Sequence, residues 1–536
     1  MMDRTRAADS VSAANSFPYD LFFVGGGLSS TLTFIQVLEE LERMPTATNA
    51  LLANWRWRIA VADAWGNFGG GLPYGPSVDP MLLLNNDVAT MDVRGFHDWL
   101  KTNRDRWLGM LRVHPSSAVE KWLRFNQAVL AISQSQPANY LSLFLPRCVF
   151  GMFVSDILGD ALIRARGLSA SVELIREEVV SLEHMGSGFC LKLGSGQSLG
   201  AGLVVLGLGS LPPDPAPGLE GTPGYIHATN STNGTPLRSM LQVLASCAGK
   251  PGCVVIIGSH ASAMETIYTI ANDERIGQLI SALVVISPSG RLPEAIPSGI
   301  TAPFEPQSVN RLLSRTEVLA EEVIAAALSD AAGARLTGYS VIDYSPPLCS
   351  AFGRVFASLS AKEKRRFAEK YGMQFTALNR HTPPEYAAAA REMLREGKLK
   401  LIAAEVTAVE PPHGATPCFT VTFKSASGSP GQLSGEAVIN CRGSGPLSRT
   451  PSLLLRDLLH SDSGIARPNR CGNGIAVSGD FEASPGLFVA GPLLAGHSHG
   501  TDYLCNLERA ERIDWLARRI APTIAARLVG EAPSRS

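Results

Sequence analysis

Asp20-Leu-Phe-Phe-Val-Gly-Gly-Gly-Leu-Ser-Ser30 is the stretch on which the reading of the chain turns. Apolar residues lead into three glycines, and an amphipathic run follows with Leu28, Leu32, Phe34, Ile35, Leu38 and Leu41 on one face, which reads as strand, tight turn, helix. In a dinucleotide-binding βαβ unit Gly25 permits the turn and Gly27, beside Gly26, lets backbone approach a pyrophosphate. Small Ser30 lets the helix pack on the strand, and the helix N-terminus offers N–H groups and a positive dipole end to the phosphates. An acid should end the second strand and bind a ribose. Trp55, Trp57, Ile59 and Val61 alternate towards Asp63, although the interval from the glycines is nearly twice the usual ~20 residues. The segment around Pro45 to Asn49 reads as the place of the insertion. Glycine-rich turns that hold no nucleotide share this pattern, so the rest of the chain has to decide.

At 536 residues the chain exceeds one hydrophobic core and suggests two or three domains. It is 45% hydrophobic and only 18% charged, which implies extensive burial. A net charge of −1 gives no electrostatic case for nucleic acid or a membrane surface. The first residues are polar and small, unlike a signal peptide, and no apolar run reaches the ~18 residues of a membrane span, so a cytoplasmic protein is expected. The nine cysteines form no C-x-x-C pair, which favours a reducing compartment and argues against zinc or a redox-active disulfide; no metal site is expected.

After Asp63 come Trp65-Gly-Asn-Phe-Gly-Gly-Gly-Leu-Pro-Tyr-Gly75 and Met81-Leu-Leu-Leu-Asn-Asn-Asp87. Glycines such as Gly71 would let backbone lie against a large flat ligand, with Asn85 and Asn86 at a ring edge; the alternative is a surface loop with two turn asparagines. A helical region follows from Phe96 to Leu145, its Trp99, Trp107 and Trp122 reading as core.

Two later segments share one plan. Val172–Ile175, Glu178–Glu183, Phe189–Leu193 and Leu203–Ser210 have their counterparts in Leu399–Ile402, Glu405–Glu410, Phe419–Phe423 and Ala437–Ser444. The second copy has its own opening strand and turn, Cys253-Val-Val-Ile-Ile-Gly-Ser-His-Ala-Ser262. Gly209 lies about 184 positions after Gly25 and Gly443 about 185 after Gly258, as duplicated dinucleotide-binding units require. Pro-rich Leu211–Gly218 and Pro446–Pro451 mark two crossings between domains. Gly486-Leu-Phe-Val-Ala-Gly-Pro492 adds a buried strand that ends in Gly491, and a long helix is expected from Asp502. The fold class is therefore α/β, two Rossmann-like dinucleotide-binding domains with the second inserted in the first. Residues 1–215 and 447–536 form the first and 216–446 the second.

Gly69-Gly-Gly-Leu-Pro-Tyr-Gly75 with Leu83-Leu-Asn-Asn86 resembles the bacterial FAD/NAD(P)-binding family of two-dinucleotide-domain flavoproteins. Gly258 with Ser262-Ala-Met-Glu265, and His499-Gly-Thr-Asp-Tyr-Leu-Cys-Asn-Leu507, resemble the NADPH-dependent N-hydroxylating flavin monooxygenases that act on ornithine and lysine. The likeness implies FAD at Gly25, Gly26, Gly27, Ser30, Asp63, Gly71, Asn85, Asn86, Gly491 and His499, and NADPH at Gly258, Ser259, Ser262 and Arg291. It further implies a C4a-hydroperoxyflavin formed with molecular oxygen, whose distal oxygen passes to a small amine or amino acid. The flavin carries that chemistry, so no catalytic side chain is named.

Departures from the family pattern stand out in the second half. His260 takes the place of a glycine, and Pro288 comes where a basic residue for the 2′-phosphate is usual, with Arg291 three positions on. Arg291 either reaches a phosphate or is a solvated loop arginine, and His260 either crowds the pyrophosphate or donates to it. Asn379-Arg-His-Thr-Pro383 suggests substrate contacts, with Arg380 holding a carboxylate or fixing its own loop. His497 and His499 belong to the flavin or substrate edge or to loop packing, and Arg147 to a domain seam. Two rival readings stay open: an NAD(P)H-dependent flavoprotein reductase or dehydrogenase, and a non-catalytic FAD-binding protein with a degenerate second site. The sequence does not give the substrate, or decide for or against a homo-oligomer.

Overall fold

A computed structural model describes residues 17–44, 56–76, 78–132, 137–213, 216, 218–219, 221–227, 242–245, 252–295, 299–413, 418–460, 464–499, 502–504 and 509–531. The Pro45–Asn49 insertion and Leu507 lie outside the described residues, as do Trp55 and part of the Leu211–Gly218 linker.

Two sheets organise the molecule. The first is built from β1 (Tyr19–Val24), β2 (Arg58–Ala62), β3 (Ser171–Ile175), β4 (Val179–Met185), β5 (Gly188–Leu193) and β6 (Ser198–Leu206). The second takes β7 (Tyr225–Ile226), β8 (Gly252–Ile257), β9 (Ile280–Ser287), β10 (Leu399–Glu410), β11 (Phe419–Ser425), β12 (Pro430–Gly435) and β13 (Ala437–Asn440). The chain then returns to the first sheet with β14 (Glu482–Ser484) and β15 (Leu487–Val489). The strand order is β14-β15-β6-β1-β2-β3 in the first sheet, with β4 and β5 attached to β6, and β12-β11-β10-β9-β8-β13-β7 in the second. Strands β1 and β8 sit inside parallel ladders and are buried on both faces, which is why they read as continuous apolar runs and not as alternation.

The repeat is realised with two variations, one of which is that the single strand β6 of the first half is divided into β12 and β13 in the second. In the first half β3 and β4 are separate strands, whereas in the second one long strand, β10, covers both stretches: Leu399–Ala403 runs parallel to β9, and beyond Ala404 the strand pairs with antiparallel β11.

Helices fill the crossovers. After β1 runs α1 (Leu28–Glu42), and α2 (Arg147–Gly167) follows the short helices of residues 96–145, where Trp107 and Trp122 are buried and Trp99 packs partly buried beside them. After β8 runs α3 (Ala261–Asn272). Between β9 and β10 stands a helical module that the sequence reading did not resolve, including α4 (Val341–Ser358), α5 (Ala361–Lys370), α6 (Gly372–Ala377) and α7 (Pro384–Arg395). Apart from α7, whose Tyr386, Ala390 and Met393 join the main core, the module has a core of its own around Tyr344, Phe352, Phe356, Phe367 and Phe375. Among the described residues no helix is long and apolar enough to cross a membrane.

The expected helix from Asp502 is corrected. β16 (Ser498–His499) pairs antiparallel with β17 (Asp502–Tyr503), and the last helix, α8, spans Ala510–Glu531. Leu504 fits a helical period, but its N–H donates to the His497 carbonyl at 2.9 Å and its carbonyl accepts from Gly496 at 2.9 Å, so a cross-strand ladder takes the backbone. Tyr503 is buried in the helical module, 5.9 Å from Phe367, and a side chain on Gly372 would collide with its hydroxyl.

The two sheets share one continuous apolar core. Across it Arg147 on α2 pairs with buried Glu265 on α3 and donates from Nε to the Leu83 carbonyl at 3.0 Å. The Leu83 N–H donates to the Tyr386 hydroxyl on α7 at 2.7 Å, and Asn126 donates to Glu385 at 3.0 Å. The expected seam arginine is thus a buried ion pair that locks one half to the other.

Candidate cofactor site

The first turn is held by geometry that only glycine meets. Gly25 has φ +96°, and a Cβ there would lie 2.5 Å from the Gly207 carbonyl oxygen. Its N–H donates to the Ala62 carbonyl at 2.8 Å, while the Gly207 N–H donates to the Val24 carbonyl at 2.8 Å. At Gly27 a Cβ would stand 3.4 Å from the Gly71 Cα, so the second glycine-rich loop lies backbone to backbone against the turn. Helix α1 starts at Gly27 with no side-chain cap and no acid in its first turn, leaving its N-terminal dipole end uncompensated.

Asp63 closes this arrangement. Its carboxylate accepts from the Gly26 N–H at 3.0 Å through Oδ2, and from the Trp65 and Asn67 N–H groups at 3.0 Å each through Oδ1. The acid is therefore a brace between the phosphate turn and the following loop. A carboxylate with about four acceptor positions still has room for a ribose hydroxyl. Gly491, at φ +73°, packs so closely on Ser29 that a side chain would strike the Ser29 hydroxyl. Gly25, Gly26, Gly27, Ser30, Asp63, Gly71 and Gly491 thus converge on the start of α1. The Ser30 hydroxyl is buried and has no hydrogen-bond partner among the described residues.

Other candidates are placed nearby or elsewhere. Buried Asn86 donates to Glu511 at 3.1 Å, which fixes it on the last helix, while Asn85 is half-buried. His499 stacks at 4.4 Å on Phe481, a bulky residue held at φ +64°, a conformation that costs ~1–3 kcal/mol. His497 is half-buried, and burial, then the neighbouring His499, lowers its pKa.

The second turn repeats the first. Gly258 has φ +104°, and a side chain there would run into the Cys441 carbonyl oxygen. The Gly258 N–H donates to the Ile286 carbonyl at 2.8 Å and the Cys441 N–H to the Ile257 carbonyl at 2.8 Å, the same ladder one domain on. His260 occupies the place of Gly27 with nearly the same backbone, φ −98° and ψ −150° against −78° and −170°, so the substitution changes the side chain and not the turn. Because Ile286 corresponds to Ala62, the residue corresponding to Asp63 is Ser287, which is buried and whose hydroxyl accepts from the Gly290 N–H at 3.1 Å. The sequence reading missed Ser287; counting the strand register from the turn would have found it.

Ser259 is buried with its hydroxyl unpartnered among the described residues, and Ser262 is half-buried at the head of α3. Exposed Arg291 follows in the loop after β9, its N–H donating to the Ser289 hydroxyl at 3.3 Å. The strip from Asn379 to Thr382 runs beside that loop, with the Thr382 N–H on the Glu294 carbonyl at 3.1 Å. Asn379 accepts from Ser345 at 3.1 Å, which ties it to α4. Arg380 stands close enough to His260 that burial, then this arginine, lowers the imidazole pKa to about 4. The structure so joins two residues that the sequence reading had given to different sites. Among the described residues no group of three histidines, cysteines or acids could hold a metal ion.

Comparison with known proteins agrees with this geometry. The profile of the FAD-NAD(P)-binding family matches residues 22–211. An uncharacterized protein of Mycobacterium tuberculosis is 28% identical over 527 residues, covering 95% of this chain and 96% of its own length. The reduced ornithine hydroxylase of Pseudomonas aeruginosa aligns with a TM-score of 0.53 at 15% identity, over 95% of this chain and 99% of that one. The FAD-bound cadaverine monooxygenase of the desferrioxamine pathway of Erwinia amylovora aligns with a TM-score of 0.53 at 14% identity, over 95% of both chains. Residues 22–211 thus match the FAD-NAD(P)-binding family profile, and they lie within a two-sheet α/β fold that the ornithine hydroxylase and the cadaverine monooxygenase share.

Proposed function

We propose that this chain is an FAD-dependent, NADPH-consuming monooxygenase that transfers an oxygen atom to a small molecule, with N-hydroxylation of an amine or amino acid as the preferred reaction. The observation that carries the reading is the pair of equivalent phosphate turns, each closed by the same four-residue ladder, with Asp63 at the end of β2 and Ser287 at the end of β9. An acid at this place suits a free ribose, whereas its absence with an arginine nearby suits a 2′-phosphate. On this reading residues 1–215 and 447–536 hold FAD and residues 216–446 hold NADPH.

The residues present fit both groups. Each turn leaves the start of a helix without side-chain cap or acid, each brings backbone to the site through a positive-φ glycine, and each buries a serine hydroxyl without a partner. When bound, FAD supplies the redox and oxygen chemistry. The chain's own part would be to hold the dinucleotides by backbone N–H groups, with the Gly71 loop, His497 and His499 as the residues that would hold the ring, and to keep bulk water from it.

The nearest rival, a reductase or dehydrogenase, passes the electrons to an acceptor other than oxygen; a disulfide acceptor fits poorly, since the cysteines form no C-x-x-C pair. Stopped-flow spectra of the NADPH-reduced protein mixed with oxygen test the difference, followed by an amine screen with mass-spectrometric detection of a product heavier by one oxygen. Purified protein that takes up FAD but shows no NADPH oxidation with any amine would overturn the monooxygenase reading.

A further inference from the structure

The second turn gathers more polar groups than a glycine turn needs. Ser259 is 1% exposed, and neither its hydroxyl nor the shielded Nδ1 of His260 has a hydrogen-bond partner among the described residues. Buried polar atoms without partners are costly and uncommon, and two in consecutive residues of a phosphate turn point to a ligand that completes them. Behind them α3, twelve residues long, begins at His260 without side-chain cap or acid in its first turn. Arg380, in the strip between α6 and α7, lies near enough to His260 for its charge to act on the imidazole.

We infer that the second turn grips the pyrophosphate of a nicotinamide dinucleotide through side chains, the Ser259 hydroxyl, a ring N–H of His260 and the Arg380 guanidinium, where the first turn offers bare glycine backbone. The inference rests on the reading of the second half as the NADPH site. A neutral imidazole carries one N–H and needs no charge to donate, and the arginine fork matches phosphate oxygens in geometry and supplies the charge. His260 keeps the backbone of Gly27, so the imidazole adds a contact without distorting the turn. The pyrophosphate is common to NADPH and NADH, so this grip is indifferent to the 2′-phosphate, and Arg291 alone is left to tell the two apart.

The test is titration of the FAD-loaded protein with NADP+ and with NAD+ by isothermal calorimetry, for the wild type and for His260→Gly, Arg380→Ala and Arg380→Lys. Flavin content and circular dichroism serve as folding controls. The expected result is a loss of about tenfold for His260→Gly and at least as much for Arg380→Ala, equal for both dinucleotides, with part recovered in Arg380→Lys. Tighter binding in His260→Gly would show that the ring crowds the site, and a loss confined to NADP+ in Arg380→Ala would assign that arginine to the 2′-phosphate; either overturns the inference. A wild type that binds neither dinucleotide overturns it together with the NADPH reading, whereas unchanged affinity in all variants removes the inference and leaves that reading standing.

Discussion

The two phosphate turns have one backbone and two chemistries. In both, a positive-φ glycine fits under a carbonyl that no side chain could clear, Gly207 for the first and Cys441 for the second, and the same hydrogen bonds close the ladder. They part in their side chains. Gly27 lies against Gly71, backbone to backbone, with Asp63 bracing the loop, whereas His260 stands beside Arg380 with Ser287 in the place of the acid. The first turn is thus closed around backbone and the second around side chains. Duplication preserves what the ladder demands and releases what only the ligand sees.

The comparison breaks most sharply at Gly27. In Gly27→Val a branched side chain enters the narrow space before Gly71, and loss of FAD by a factor of about 100 or more is expected, read from the flavin absorbance of purified protein and from reconstitution. The second turn already tolerates a larger side chain at the same place, so a yellow Gly27→Val protein would show that the two turns are interchangeable after all.

The seam that holds the halves together comes next. Arg147→Ala leaves Glu265 buried without its partner, a change worth about 3–5 kcal/mol. Chemical denaturation should show that loss, and Arg147→Met combined with Glu265→Leu should restore most of it. If the single variant unfolds like the wild type, the two halves are not coupled through this pair.

Asp63 and Ser287 set the two strand ends against each other. Asp63→Ala removes an ionised acceptor from three backbone N–H groups, and a loss of about 2–3 kcal/mol in stability is expected together with weaker FAD binding. Ser287→Ala loses two neutral hydrogen bonds, one from the Gly290 N–H and a long one with the Ser289 hydroxyl, and should cost about 1 kcal/mol. Thermal unfolding of the two variants side by side decides it, and equal shifts would remove the distinction between brace and bystander.

The smallest effect concerns Arg291. If it meets the 2′-phosphate, Arg291→Ala should raise KM for NADPH about tenfold and leave KM for NADH as it was. Parallel changes for both would return the arginine to the solvated loop in which it stands exposed.

The sequence alone determined the repeat. Runs such as Cys253–Ile257 beside a glycine turn read as buried strands, a glycine at the end of each opening strand gives the turn, and the spacing of Gly25 to Gly209 nearly equals that of Gly258 to Gly443. These signals are local, set by period and by backbone freedom, and survive without knowledge of neighbours. What lies between the strands was not legible in that way. The helices of 307–377 have a core supplied in part by Tyr503, more than a hundred residues later, and the segment around Leu504 gave up a helical period for a ladder with residues 496–497. No local pattern reports that Arg380 ends beside His260, that Ser287 stands where Asp63 does, or that Asp63 braces the turn it was expected only to accompany. Those placements depend on which elements pack together, and only the tertiary structure decides them, because burial, pairing and charge at a site are properties of neighbours brought from far along the chain.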